Sequence, residues 1–152
     1  MSARERLAEL GISLAAPAAP AGAYLPAVRT GNLIFTAGQV PFVDGKLPAT
    51  GKVGAEVSAE DAKGYARICA INALSAVASL VSIDDVVRVV KVVGFVASAD
   101  GFTGQSGVIN GASELLAEVF GESGKHARSA VGMAELPLGS PVEVEIVVEV
   151  RD

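Results

Sequence analysis

The chain contains no tryptophan, aromatic residues make up only 5% of it, and it has one cysteine and one histidine. Cys69 has no cysteine partner, so we expect neither an intramolecular disulfide nor a thiolate metal site, and we predict a buried thiol. His126 has no second histidine and no assignable nucleophile, which favours a structural role. The shortage of aromatic rings removes the usual platform for stacking bases. We therefore predict no metal site built from cysteine or histidine.

Charged side chains are also scarce. They account for 19% of the 152 residues, the formal net charge is −5, and no cluster of lysine and arginine stands out. This composition argues against nucleic acid as a partner, because phosphate backbones are bound by clustered basic residues. With 51% apolar residues and so little charge, we expect part of the surface to close against further copies of the chain.

No apolar run is long enough to cross a bilayer. The longest uncharged stretch, residues 68–83, falls short of the roughly 20 residues that a spanning helix needs and is interrupted by polar residues. The first residues are charged and lack the apolar core of a signal peptide. We predict a cytoplasmic protein with no membrane partner and a single domain, residues 1–152, in which residues 1–21 form an N-terminal helix and linker.

Hydrophobic periodicity and turn residues predict the elements that follow this extension. They are strands at 24–29 and 33–40, a helix from Ser58 to about Val81, a strand at 86–97, a helix at 113–120 after a glycine-rich connection (100–111), and two strands on either side of 136–141. The strand at 86–97 is rich in β-branched residues, which is typical of the middle of a sheet.

This order predicts an α+β fold, with two helices packed on one face of a mixed β-sheet. The last two strands are expected to be neighbours, because only residues 136–141 join them. The second face of the sheet then needs cover, which subunit association would supply.

Arg128 is the residue most in need of a partner. Its guanidinium is always charged and has a planar fork that matches a carboxylate. The residues around it nevertheless have the apolar pattern that is typical of a buried strand. From Val142 to Val150 the residues alternate, so that Glu143, Glu145 and Glu149 share one face. Two interpretations remain open: a structural ion pair between Arg128 and one of these glutamates, or an arginine that binds an anionic substrate.

Three segments resemble the RidA/YjgF family of small trimeric proteins with a chorismate mutase-like fold. They are GAYLPAVRTGNLIFTAGQVP (22–41), the helix after Ser58, and ARSAVGMAELPLGSPVEVEIVVEV (127–150). The resemblance implies a homotrimeric barrel with a cleft between each pair of subunits. It also implies hydrolysis of reactive 2-imino and enamino acids to 2-keto acids and ammonia, without metal or cofactor.

The resemblance assigns roles residue by residue. Arg128 matches the arginine that holds the substrate carboxylate, and Glu143 matches the glutamate that orients the attacking water. Tyr24 matches a pocket tyrosine. Further pocket positions are matched by Ala37, Gly38, Asn110 and Ala130.

Some residues depart from the family pattern. Ala130 stands where deaminating members often have cysteine, and Ala37 replaces a common serine. These departures motivate an alternative, a non-catalytic trimer that binds small carboxylates or metabolites. An endoribonuclease, the label of some longer relatives, is disfavoured by charge and by the lack of a histidine pair, and a chorismate mutase would rest on fold analogy alone.

Overall fold

The computed structural model describes residues 1–152. Its helices and strands are α1 (Ala3–Glu9), β1 (Ala27–Thr30), β2 (Leu33–Thr36), α2 (Ala59–Ala78), β3 (Val86–Ala97), α3 (Gln105–Phe120), β4 (Ala127–Met133) and β5 (Val142–Val150). No helix combines the length and hydropathy that crossing a bilayer requires.

Two helices begin at serines that the sequence pattern identifies as caps. The Ser2 hydroxyl accepts from the backbone N–H of Glu5, whose carboxylate accepts from the N–H of Ser2, which completes a capping box on α1. The Ser58 hydroxyl accepts from the N–H of Asp61 at the start of α2. The irregular segment between α1 and β1 contains the predicted linker.

The five strands form one mixed sheet in the order β1-β2-β5-β3-β4. Strand β3 pairs in parallel with β4 and antiparallel with β5. The prediction that the last two strands are neighbours is therefore wrong, because β3 lies between them. The reason is that β3, with twelve mostly β-branched residues, needs partners on both sides, and β4 and β5 supply one each.

The two predicted helices, α2 and α3, pack on one face of the sheet, as expected. The alternating residues of β5 supply the centre of this core, and each is at most 1% exposed: Val142, Val144, Ile146, Val148 and Val150. Large apolar side chains on the opposite face are open to solvent, among them Val28 (51% exposed), Phe35 (44%) and Val131 (41%). The chain alone thus leaves one face of its sheet uncovered.

Helix α3 begins at Gln105, eight residues before the predicted start at Ser113, so much of the supposed glycine-rich connection is helical. Gly111 lies on the buried side of α3, where a Cβ atom would collide with the backbone carbonyl oxygen of Lys63 in α2. Glycine is therefore present because two helices approach closely, not because the chain is a loop.

Replacing Gly111 by alanine is expected to destabilise the fold by about 1–3 kcal/mol, because the added methyl group forces α2 and α3 apart. Gly107 is a matched control in the same helix, since a Cβ there meets nothing within 4 Å. Gly107→Ala should stabilise the helix by up to about 1 kcal/mol. Urea unfolding of both variants tests this pair, and equal stability of the two would contradict the helix contact.

Candidate functional site

A cavity of about 370 Å³ adjoins the first residues of β5. Four of the predicted site residues line it together: Tyr24, Ala37, Gly38 and Glu143. Glu143 points away from the helices, since it lies on the opposite face of β5 from the buried valines. The fold thus brings these four residues, which come from three separate segments of the sequence, to one cavity.

Gly38 makes room for the carboxylate of Glu143. A Cβ atom on residue 38 would collide with Oε1 of Glu143, so only glycine allows the side chain to lie against the backbone there. The position is fixed by the neighbouring Gln39, whose backbone N–H donates to the carbonyl of Val144 (2.8 Å) and whose carbonyl accepts from the N–H of Val144 (2.9 Å). The carboxylate of Glu143 therefore lies against the backbone of Gly38, in a segment that is hydrogen-bonded to β5.

Glu143 forms none of the five salt bridges of the chain. Burial raises the pKa of its carboxyl group above the ordinary value, and the negative charge of Glu145 two residues away raises the pKa further. A carboxylate with a raised pKa and no cationic partner is well suited to accept a proton from water.

Arg128 lies on the other face of the sheet, in β4, where it is half-buried. Its Nη1 donates to Oδ1 of Asn110 (2.8 Å) and to Oγ of Ser113 (3.1 Å), which are one turn apart on α3. It also takes no part in any of the five salt bridges. The hypothesis of an ion pair with a glutamate of β5 is therefore wrong within the chain, and the guanidinium has only neutral partners.

Arg128 and Glu143 do not meet within one chain. Arg128 is level with Val92 of β3, whereas Glu143 is level with Phe95. Two strand spacings of about 4.8 Å and three residues of about 3.3 Å separate their backbones, and their side chains point to opposite faces. Asn110 and Ala130 lie on the Arg128 side, so the seven predicted residues form two groups.

Sequence reasoning missed several residues of these groups. The sequence pattern does not reveal Ser113 as a partner of Arg128, because it predicts a start for α3 that leaves Asn110 outside the helix. Asn72 donates from Nδ2 to the carbonyls of Val40 and Phe42, both at 3.1 Å, and so holds one wall of the Glu143 cavity. No local signal pointed to this contact, which joins segments about 30 residues apart.

His126 and Arg128 share a second cavity of about 280 Å³ at the edge of the sheet. Burial lowers the pKa of His126, and the charge of Arg128 lowers the pKa further against the opposing effect of a hydrogen bond to Ala127. Nδ1 lies 3.1 Å from that carbonyl oxygen, a contact in which the ring nitrogen donates. Cys69, elsewhere in the core, is fully buried as predicted. Burial disfavours the charged thiolate and so raises the pKa of this thiol.

Known proteins resemble this chain over nearly its whole length. A sequence profile described as YjgF/chorismate mutase-like, putative endoribonuclease, matches residues 4–150. Protein TCP17 of Trypanosoma cruzi is 45% identical over 148 residues, which cover 96% of this chain and 92% of that protein.

Solved structures share the fold. A crystal structure of a putative endoribonuclease from Shewanella oneidensis has a TM-score of 0.95 and 27% identity, covering 99% of this chain and 100% of that one. The crystal structure of Escherichia coli TdcF with bound serine has a TM-score of 0.65 and 25% identity, covering 92% of this chain and 96% of that one.

Proposed function

Because the chain belongs to the YjgF/chorismate mutase-like family, we propose that it hydrolyses small 2-imino acids and their enamine tautomers to 2-keto acids and ammonia. The observation that carries this proposal is the half-buried guanidinium of Arg128, which has neutral partners only. A charge in that setting calls for an anion. The carboxylate of a small substrate supplies one.

Arg128 has the free donors that such a carboxylate needs. Asn110 and Ser113 both accept from Nη1, and Nε and Nη2 make no hydrogen bond within the chain. These two groups form the fork that binds a carboxylate through two parallel hydrogen bonds. The bound serine of TdcF is an amino acid with such a carboxylate, which supports a ligand of this class here.

The complete site requires two subunits. Arg128 and Glu143 point to opposite faces of one sheet, so a single chain cannot present both to one small molecule. In the proposed homotrimer, Arg128 and Asn110 of one subunit face Glu143, Tyr24 and Gly38 of the next. The exposed apolar side chains on the open face of the sheet, such as Val28 and Phe35, support association of this kind.

The chemistry needs mainly positioning and one proton acceptor, because a protonated imine is already electrophilic. Water adds to C2 as one of its protons passes to the Glu143 carboxylate, which gives a carbinolamine. Return of that proton to nitrogen makes ammonia the leaving group. The C2–N bond breaks as the hydroxyl oxygen forms the carbonyl, and the hydroxyl proton passes to the departing ammonia or to Glu143.

Release of 2-keto acid from imines generated in situ by an amino acid oxidase tests this function. We expect the protein to accelerate release over the spontaneous rate. Binding of 2-keto acids without acceleration would instead favour a non-catalytic carboxylate-binding protein. An endoribonuclease would be favoured only by RNA cleavage that persists in highly purified protein, which the net charge of −5 argues against.

Activity is expected to fall as the pH is lowered through the raised pKa of Glu143, since the carboxylate form accepts the proton from water. Glu145→Gln removes the second cause of that rise, so the acid limb of kcat/KM should move to lower pH. Glu149→Gln, farther along the same face, is the control and should leave the limb in place. Equal profiles for all three proteins would show that the limb does not report Glu143.

A further inference from the structure

We propose that residues 18–21 form a specificity wall of the active site and restrict the substrate to 2-imino acids with apolar, uncharged side chains. This inference rests on the proposed function, because it assigns a substrate class to the same cleft. The segment comes from the N-terminal extension that the sequence presents as a linker.

The wall faces Glu143 across an apolar cavity. Besides the site residues already described, the lining includes Ala18, Ala19, Pro20, Val40, Phe42 and Leu138, with Gln39 as a further polar residue. Glu143 is the only charged residue that lines the cavity. When Arg128 of the next subunit holds the carboxylate and Glu143 holds the water near C2, the side chain of the substrate is left to this apolar space.

The wall is attached to the body of the protein at both ends. Before it, Ile12 and Leu14 pack against the hydrophobic core. At its last residue, the backbone N–H of Ala21 donates to the hydroxyl of Tyr24 at 3.3 Å, which joins the segment to a predicted site residue, and β1 begins six residues later at Ala27. The prolines at 17 and 20 restrict the backbone between these points.

Charge decides which side chains are accepted. A second carboxylate on the substrate would lie beside Glu143, and no lysine or arginine of the same chain lines the cavity to offset that repulsion. Arg128 of the next subunit is already paired with the first carboxylate. An apolar side chain loses water there without leaving a polar group unpaired. We therefore expect kcat/KM for imines derived from leucine or methionine to exceed that for imines from glutamate by at least about tenfold.

A lysine in the wall should reverse part of this preference. Ala18 and Ala19 both line the cavity, so Ala18→Lys and Ala19→Lys are both made. At least one should raise kcat/KM for the glutamate-derived imine relative to the leucine-derived imine by about fivefold, the factor that a partly exposed ion pair contributes. Ala16→Lys is the control, because Ala16 is exposed on the same segment but does not line the cavity.

The outcomes separate this inference from the proposed function. If the wild type hydrolyses no imine, the proposed function fails, and the inference fails with it. If the wild type hydrolyses leucine- and glutamate-derived imines equally well, or if neither lysine variant changes their ratio more than Ala16→Lys does, the wall has no role in specificity while the hydrolase function stands. A ratio that changes in Ala18→Lys or in Ala19→Lys, but not in Ala16→Lys, supports the role of the wall in specificity.

Discussion

Replacing Arg128 by methionine is expected to lower kcat/KM for imine hydrolysis by about 10²- to 10³-fold, since loss of a charged partner from a buried hydrogen-bonded pair costs roughly 2–5 kcal/mol. Methionine retains an unbranched stem that covers the neighbouring apolar surface. The side chain lies at the edge of the sheet and makes only two hydrogen bonds. We therefore expect the fold and the oligomeric state to persist.

Two further variants sharpen the Arg128 experiment. Arg128→Lys keeps the charge but lacks the planar fork, so it should recover only part of the activity. Arg67→Met is the matched control, because Arg67 already pairs with Glu118 at 3.1 Å on the surface and should leave kcat/KM unchanged. Steady-state kinetics with sedimentation velocity on each variant are the measurements. Full turnover by an intact Arg128→Met oligomer would refute carboxylate anchoring by this residue.

Replacing Glu143 by glutamine is expected to lower kcat by about 10²- to 10⁴-fold, the contribution typical of a positioned general base. KM should change little, because Arg128 still holds the carboxylate. Glutamine has nearly the same shape and fits the space that Gly38 leaves free. Glu149→Gln, on the same face of β5 but outside the cavity, is the control. A higher KM with kcat preserved would instead assign Glu143 to substrate binding.

Mixing the two inactive variants tests whether each cleft uses two subunits. In mixed oligomers of Arg128→Met and Glu143→Gln chains, some clefts receive Arg128 from one subunit and Glu143 from its neighbour. Random assembly at equal amounts should restore about a quarter of the clefts, because neighbours in the proposed homotrimer are related head-to-tail. Activity after co-expression, compared with that of the separate variants, is the measurement. No recovery would contradict a cleft that combines Arg128 of one subunit with Glu143 of the next.

The local elements were largely predictable because local residues specify them. The serine caps of α1 and α2, the turn between β1 and β2, and the β-branched run of β3 all act over a few residues. The start of α3 was missed because its glycines suggested a loop. Whether Gly111 is a helix breaker or a helix contact depends on Lys63, which lies 48 residues earlier in the sequence, in α2.

Strand order was predicted only in part. A central position for β3 followed from its composition, but the pairing of β4 with β3 instead of β5 did not follow from the short connection. Chain proximity favours neighbours, whereas burial of β3 on both sides outweighs that preference. The same pairing decides the chemistry, because it turns Arg128 toward α3 and leaves Glu143 on the opposite face.

The sequence by itself determined the family, the α+β elements, the buried face of β5 and the identity of the residues with unusual chemistry. Its alternation and capping patterns act over a few neighbouring residues, so they can be read from the sequence directly. Only the tertiary structure decided which partners those residues have. It removed the expected ion pair of Arg128, seated Glu143 against Gly38 and brought residues 18–21 to the cavity, because each of these contacts joins segments that are distant along the chain.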